Sequence, residues 1–202
     1  MVGEITPPCR ERILAMGETM PIQSLDLQKT IVFVGMMGSG KTAIGKALAV
    51  KLQVPFRDSD AVIEDASCLS IAEIFDRYGE PFFRDKESKV IARLLEHAPC
   101  ILSTGGGAWL SPENRAAIDK VAVSVWLKAD VDLLWSRVRH KTTRPLLRTA
   151  NPRATLAEIS AARTPAYQTA QVQIETQPNW SIEDTTNAVL HALIATQIVK
   201  VT

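Results

Sequence analysis

The stretch Gly35-Met36-Met37-Gly38-Ser39-Gly40-Lys41-Thr42 decides the fold. It fits G-x-x-x-x-G-K-[ST], a glycine-rich loop whose curled backbone turns successive N–H groups inward onto phosphate oxygens. The motif is informative between a strand and a helix, and the sequence supplies both. Upstream, Thr30-Ile31-Val32-Phe33-Val34 is a β-branched, apolar run that stops at Gly35, as a strand buried on both faces does. Downstream, Ala43, Ile44, Ala47, Leu48 and Leu52 recur at helical spacing, and the positive end of that helix adds to the cradle. Gly38, Ser39, Gly40, Lys41, Thr42 and Ala43 are the expected nucleotide contacts. Lys41 is placed to reach the β- and γ-phosphates, and Thr42 to offer its hydroxyl to Mg²⁺. The loop implies a bound nucleotide but leaves open what receives the phosphoryl group.

Working outward, the same alternation repeats. Val54-Pro55-Phe56-Arg57-Asp58 is a short strand candidate. Residues 60–97 are helix-rich, with breaks near Ser70 and at Gly79 to Pro81. Cys100-Ile101-Leu102-Ser103-Thr104 is an apolar run ended by glycines, and Ser111-Pro112 places a cap before a proline at a helix start. Residues 121–127 read as a strand, 131–139 as a helix, 172–175 as a fifth strand and 182–198 as a closing helix. Strands alternating with helices predict a parallel sheet covered on both faces. Residues 1–29, with three prolines and scattered charges, are expected to be a loosely attached extension to one domain over 30–202.

Three further features bear on the acceptor. Asp58-Ser59-Asp60 follows the second strand and therefore emerges at the carboxyl end of the sheet, where open α/β folds bind ligands. One carboxylate can support the metal while the other meets a hydroxyl; equally, the pair can simply cap the next helix. In Gly79-Glu80-Pro81-Phe82-Phe83-Arg84-Asp85-Lys86-Glu87, Arg84 can clamp a carboxylate bidentately, although a lone helix arginine is more often a solvated surface group. Gly105-Gly106-Gly107 costs backbone entropy that a plain turn does not need, and invites close approach of a ligand.

Composition narrows the classes. The 202 residues carry 23 Lys plus Arg against 22 Asp plus Glu, a net charge of +1, which offers no field for capturing nucleic acid. No apolar run approaches a bilayer span. Cys9, Cys68 and Cys100 are odd in number and too scattered for a disulfide framework or a zinc site. A protein of a reducing, cytoplasmic compartment is expected, without nucleic-acid or membrane partners.

Taken in order, the phosphate loop, Asp58 to Asp60, Gly79 to Glu87, Gly105 to Ala108, Arg144-Pro145-Leu146-Leu147 and Arg163-Thr164-Pro165-Ala166-Tyr167 resemble the pattern of the shikimate kinase family. The resemblance spans residues 29–198. It implies a nucleoside-monophosphate-kinase-like, three-layer α/β/α fold with a five-stranded parallel sheet and a mobile lid at about residues 139–152. It also implies ATP-dependent phosphorylation of the 3-hydroxyl of shikimate, with Mg²⁺, in aromatic amino-acid biosynthesis, and a monomer is expected. By the same resemblance, Asp58 supports the metal with Thr42, while Asp60 meets the shikimate hydroxyls and is the candidate base. Arg84 and Arg163 hold the carboxylate, with Gly105, Gly106 and Gly107 lining the substrate. Arg144 reaches the phosphates from the lid, joining Lys41 and Asp60 as a catalytic candidate, and Arg137 stands against adenine. Pro178-Asn179-Trp180 departs from members with an arginine near the base, and Trp109 has no assigned part. The nearest rival is a kinase for another hydroxylated acid such as gluconate. A ligand-sensing domain of a transcriptional regulator would require a helix-turn-helix module, which residues 1–29 do not supply.

Overall fold

A computed structural model describes residues 25–97, 99–140 and 145–201. The central strand, β2 (Thr30–Val34), is buried at all five positions. Its alternate residues face opposite sides: Ile31 and Phe33 enter one apolar core, Val32 and Val34 the other. That two-sided burial is why the run has no polar alternation. Beside it lie β3 (Phe56–Asp58), β4 (Ile101–Ser103), β5 (Ala122–Lys128) and β6 (Val172–Glu175), all parallel, in the order β3-β4-β2-β5-β6. This is the five-stranded sheet that the sequence implies.

On one face, α1 (Lys41–Leu52) and α7 (Ile182–Ala195) bury Ile44, Leu48, Val189 and Leu193 against Ile31 and Phe33. On the other, α3 (Ile71–Leu95), α4 (Pro112–Val121), α5 (Val131–Val138) and α6 (Pro152–Tyr167) contribute Ile91, Ile118, Leu134 and Leu156. A third, small core of Ile63, Ile74 and Phe83 joins α2 (Ser59–Ser67) to α3. It carries Asp60 and Arg84 out beyond the carboxyl end of the sheet. The break at Gly79 is present as a kink: Gly79 has φ 79° and ψ 167°, and the helix resumes with Pro81, whose missing N–H suits a first turn.

Two expectations at the chain ends are corrected. The extension does not run to residue 29, because β1 (Leu25–Leu27) is a strand. The closing helix stops at Ala195 rather than residue 198, and β7 (Val199–Val201) follows it. The two strands pair antiparallel as a second sheet, with Leu27 opposite Val199 and both side chains buried. The second strand of the main sheet also starts later than the sequence suggests, at Phe56. Pro55 has no N–H for a ladder, though its carbonyl accepts from Ile101 N at 2.9 Å. Among the described residues no helix is long and apolar enough to cross a membrane.

Candidate active site

The phosphate loop runs from the end of β2 into α1 at the carboxyl edge of the sheet. Lys41 opens α1, and its ammonium folds back to donate to the carbonyls of Gly35 at 2.9 Å and Met36 at 3.0 Å. From α5, Arg137 Nη1 donates to the carbonyls of Gly38 at 3.2 Å and Ser39 at 3.4 Å. Partial burial pulls the Arg137 pKa below its usual range. The two cations thus occupy the carbonyls of Gly35, Met36, Gly38 and Ser39, while the Ser39 N–H turns back to Met36 O at 3.1 Å and tightens the curl of the loop. Ser39 Oγ is buried and has no hydrogen-bond partner among the described residues, which marks a site that expects a polar guest.

Beside the loop, three oxygens gather. Thr42 Oγ1 donates to Asp58 Oδ2 at 3.0 Å and lies 3.4 Å from Ser103 Oγ. Asp58 and Ser103 are register partners at the ends of β3 and β4, so adjacent strands deliver them to one point. The other Asp58 oxygen accepts the Asp60 N–H at 3.1 Å and caps α2. The capping and metal-side readings of Asp58 are thus compatible, one oxygen for each. An oxygen-only set with a single carboxylate suits Mg²⁺, which takes few protein ligands and completes its shell with phosphate and water. No group of three or more His, Cys, Asp or Glu able to hold a metal occurs among the described residues.

A second group of side chains is built on α3, α6 and the glycine loop. Arg84 gives Nη1 to Glu87 Oε2 at 2.7 Å, and Nε and Nη2 to Glu80 Oε1 at 3.1 and 2.8 Å. Glu87 is wholly buried, and that burial pushes its pKa up although Arg84 and Arg163 pull it down. Arg84 is a quarter exposed; burial lowers its pKa, but the two glutamates outweigh that and raise it. The guanidinium lies flat over Gly107, where a Cβ would stand 2.3 Å from Nη2. Arg163 reaches in from α6, its Nη1 3.6 Å from where a Gly106 Cβ would be.

A cleft of about 660 Å³ runs along the phosphate loop past Thr42, Asp58 and Arg137 to Trp180. A smaller recess of about 70 Å³ is lined by Arg84, Arg163 and Gly107. Both cavities include Met37, Asp60, Gly105 and Gly106, so they meet at those four residues. One candidate lies outside this account: Arg144 falls in residues 141–144, beyond the described residues.

Several contributors carried no role in the sequence reading. Ser103 lies inside the Cys100 to Thr104 run and reads only as part of a strand, and Ser59, whose Oγ accepts the Gly105 N–H at 3.3 Å, hid between two aspartates. Trp180 lines the same cleft as Arg137, so the departure at 178–180 contributes an indole to its wall. Trp109 is completely buried; its Nε1 donates to Ala166 O at 2.9 Å and Thr169 Oγ1 at 3.2 Å, tying the segment after the glycines to α6.

The profile of the shikimate kinase family matches residues 37–194. The chain belongs to the shikimate kinase family. A shikimate kinase of Ruegeria pomeroyi is 61% identical over 167 residues, covering 83% of this chain and 86% of that protein. The solved shikimate kinase of Acinetobacter baumannii, in complex with shikimate, superposes with a TM-score of 0.81 at 34% identity, covering 84% of this chain and 94% of its own. A gluconokinase from Sinorhizobium meliloti superposes with a TM-score of 0.57 at 17% identity over 83% of this chain and 93% of its own, a likeness of fold alone.

Proposed function

We propose that this kinase transfers the γ-phosphoryl group of ATP to the 3-hydroxyl of shikimate. The observation that carries the reading is the junction at Asp60, where a phosphate-loop cleft meets a recess holding two arginines. Phosphoryl transfer is mainly positioning and charge stabilisation, and it needs donor and acceptor pockets that open onto one another. In this reading the loop amides from Gly38 to Ala43 and the Lys41 ammonium hold the phosphates, with Arg137 and Trp180 bordering the base. Thr42 and Asp58 would hold Mg²⁺, which when bound neutralises charge on the transferring group. Ser103 sits beside them. Arg84 and Arg163 take the substrate carboxylate, which displaces the exposed Glu80 from Arg84 while Glu87 keeps its hold on Nη1. Asp60 accepts the hydrogen bond of the attacking hydroxyl. As the new P–O bond forms and the bond to the β-phosphate oxygen breaks, Asp60 takes the hydroxyl proton.

Arg144 and the lid over residues 139–152 belong to the same proposal. Its described part includes Leu147, buried in the core, and Leu146, which lines the acceptor recess. A monomer is proposed with it, and a reducing, cytoplasmic compartment, the latter supported by free thiols at Cys68 and Cys100.

Coupled ADP release with shikimate, gluconate and buffer alone tests the substrate, and only shikimate is expected to give turnover. Asp60→Asn keeps size but loses the charge that orients the hydroxyl, and should lower kcat by about 10²–10⁴-fold with little change in nucleotide affinity. Retained turnover, or loss of ATP binding as the main defect, would remove Asp60 from this role.

A further inference from the structure

The two peptides that join the three glycines are bonded through their carbonyls. Gly105 O accepts from Ala108 N at 3.1 Å, and Gly106 O accepts from the hydroxyl of Tyr167. Among the described chain there is no cis peptide. In a trans peptide the N–H points opposite to the C=O of the same unit. Anchoring the Gly105 carbonyl therefore turns the Gly106 N–H the other way, and anchoring the Gly106 carbonyl does the same to the Gly107 N–H. Neither amide donates to an acceptor among the described residues, whereas the Gly105 N–H is already committed to Ser59. Gly106 and Gly107 both line the recess between Arg84 and Arg163.

Tyr167 is built for a fixed role. It is 1% exposed, its ring stacks on Trp126 with centroids 5.9 Å apart, and its oxygen lies 3.9 Å from Met36 Sδ. Four residues on from Arg163, it shares that residue's face of α6. Burial pushes the phenol pKa up, despite the Arg163 guanidinium beside it, so the hydroxyl keeps its proton as a donor.

We propose that Tyr167 is a positioning residue: its buried hydroxyl locks the Gly106–Gly107 peptide so that the Gly107 N–H faces the acceptor carboxylate or hydroxyls, in register with Arg163. The inference deepens the reading of the recess as the acceptor site and rests on it. It explains why the tyrosine of the Arg163 to Tyr167 motif follows the arginine by one helical turn. One helix then sets both a cation and, through the glycine carbonyl, an amide donor.

Tyr167→Phe removes the hydroxyl and leaves the stacked ring. The KM for shikimate should rise about tenfold, the scale of one lost hydrogen bond at a charged acceptor, with the KM for ATP within about twofold. The unfolding midpoint should fall by no more than about 4 °C. An unchanged shikimate KM overturns the proposal, and so do shikimate and ATP constants that rise together with a collapsed midpoint, the pattern of a purely structural defect.

A second readout uses ¹⁵N-glycine protein, which has ten glycines. The substitution should move the Gly107 amide resonance in the ligand-free protein, and a spectrum unchanged there counts against the lock. If the variant does not fold, the wild-type amides of Gly106 and Gly107, more than Gly105, should shift on adding shikimate; no shift at either overturns the proposal. A wild-type chain that fails to phosphorylate shikimate sinks the functional reading alone, since the substrate-free Gly107 resonance is read without turnover.

Discussion

Arg84 is held where it is by what Gly107 lacks. The Gly107 backbone is ordinary, with φ −96° and ψ −13°, so an alanine would meet no torsional penalty there. Its Cβ would instead lie 2.3–2.5 Å from the guanidinium. The far end of a flexible side chain is what gives way, so Gly107→Ala should displace Arg84 rather than unfold the chain. We expect the shikimate KM to rise about 10–100-fold with the unfolding midpoint nearly unchanged, measured by steady-state kinetics and thermal melts. Glu87, which holds the other side of Arg84, gives a pH signature. Because its folded pKa is raised, the folded protein retains a proton that the unfolded chain has released. Its contribution to stability is therefore complete at low pH and declines as pH climbs from the ordinary glutamate range to the raised value. Glu87→Gln removes that dependence. The stability of wild type relative to the variant should be greatest at and below the ordinary glutamate range and fall as the pH rises above it, read from urea midpoints across a pH series; a difference that grows with pH would refute the assignment. At this scale the sequence was informative where a residue type is unusual, as at Lys41 or the triple glycine. It was silent on Ser59, Ser103 and Tyr167, whose work depends on contacts across 46, 61 and 61 residues of chain.

Among the elements, α3 shows how a break becomes part of a site. Ser70 and Glu73 form a reciprocal cap at its start, and the run would otherwise continue straight to Leu95. Gly79 turns it, so that the segment bearing Arg84 and Glu87 lies across the glycine loop while Ile74 and Phe83 stay in the small core with Ile63. With φ 79° and ψ 167°, this position lies in a region essentially reserved for glycine. No heavy atom crowds the site closer than Pro81 Cδ at 3.7 Å, so substitution strains the backbone alone. Gly79→Ala should cost about 1–3 kcal/mol of stability and raise the shikimate KM more than the ATP KM, because the bend aims Arg84 and not the phosphate loop. A variant whose two KM values move equally would show that the kink serves folding only. The break was legible from Gly79-Glu80-Pro81, since both punctuating residues are local. The direction of the bend was not, because it is set by packing of Phe83 against α2.

At the scale of the whole molecule, the near-zero net charge conceals an arrangement in which Lys41, Arg84, Arg137 and Arg163 converge on connected cavities. Local cationic surroundings can thus serve two anionic substrates without a global field. The same scale explains what the ends of the chain do. Three-residue strands with no flanking pattern are invisible in sequence, and the partners β1 and β7 stand at opposite ends of the described chain. Their pairing follows only from the core they complete: Leu27 and Val199 extend the cluster in which α1 and α7 pack through Leu48, Val189 and Leu193. That cluster backs α1, whose first residues are proposed to hold the nucleotide, but it lies on the sheet face away from Trp109 and Tyr167. Val199 is 1% exposed, and truncating it to alanine removes two buried methyl groups at the seam. Val199→Ala should therefore lower the unfolding free energy by about 1–3 kcal/mol, the transfer cost plus a small cavity. The KM for shikimate should stay within about twofold of wild type, since the cost falls on the folded state as a whole. Denaturant melts paired with kinetics decide it. An unchanged melt would mean that the terminal strands contribute nothing to the core they touch, and a raised shikimate KM would mean that the seam reaches the acceptor recess through the sheet.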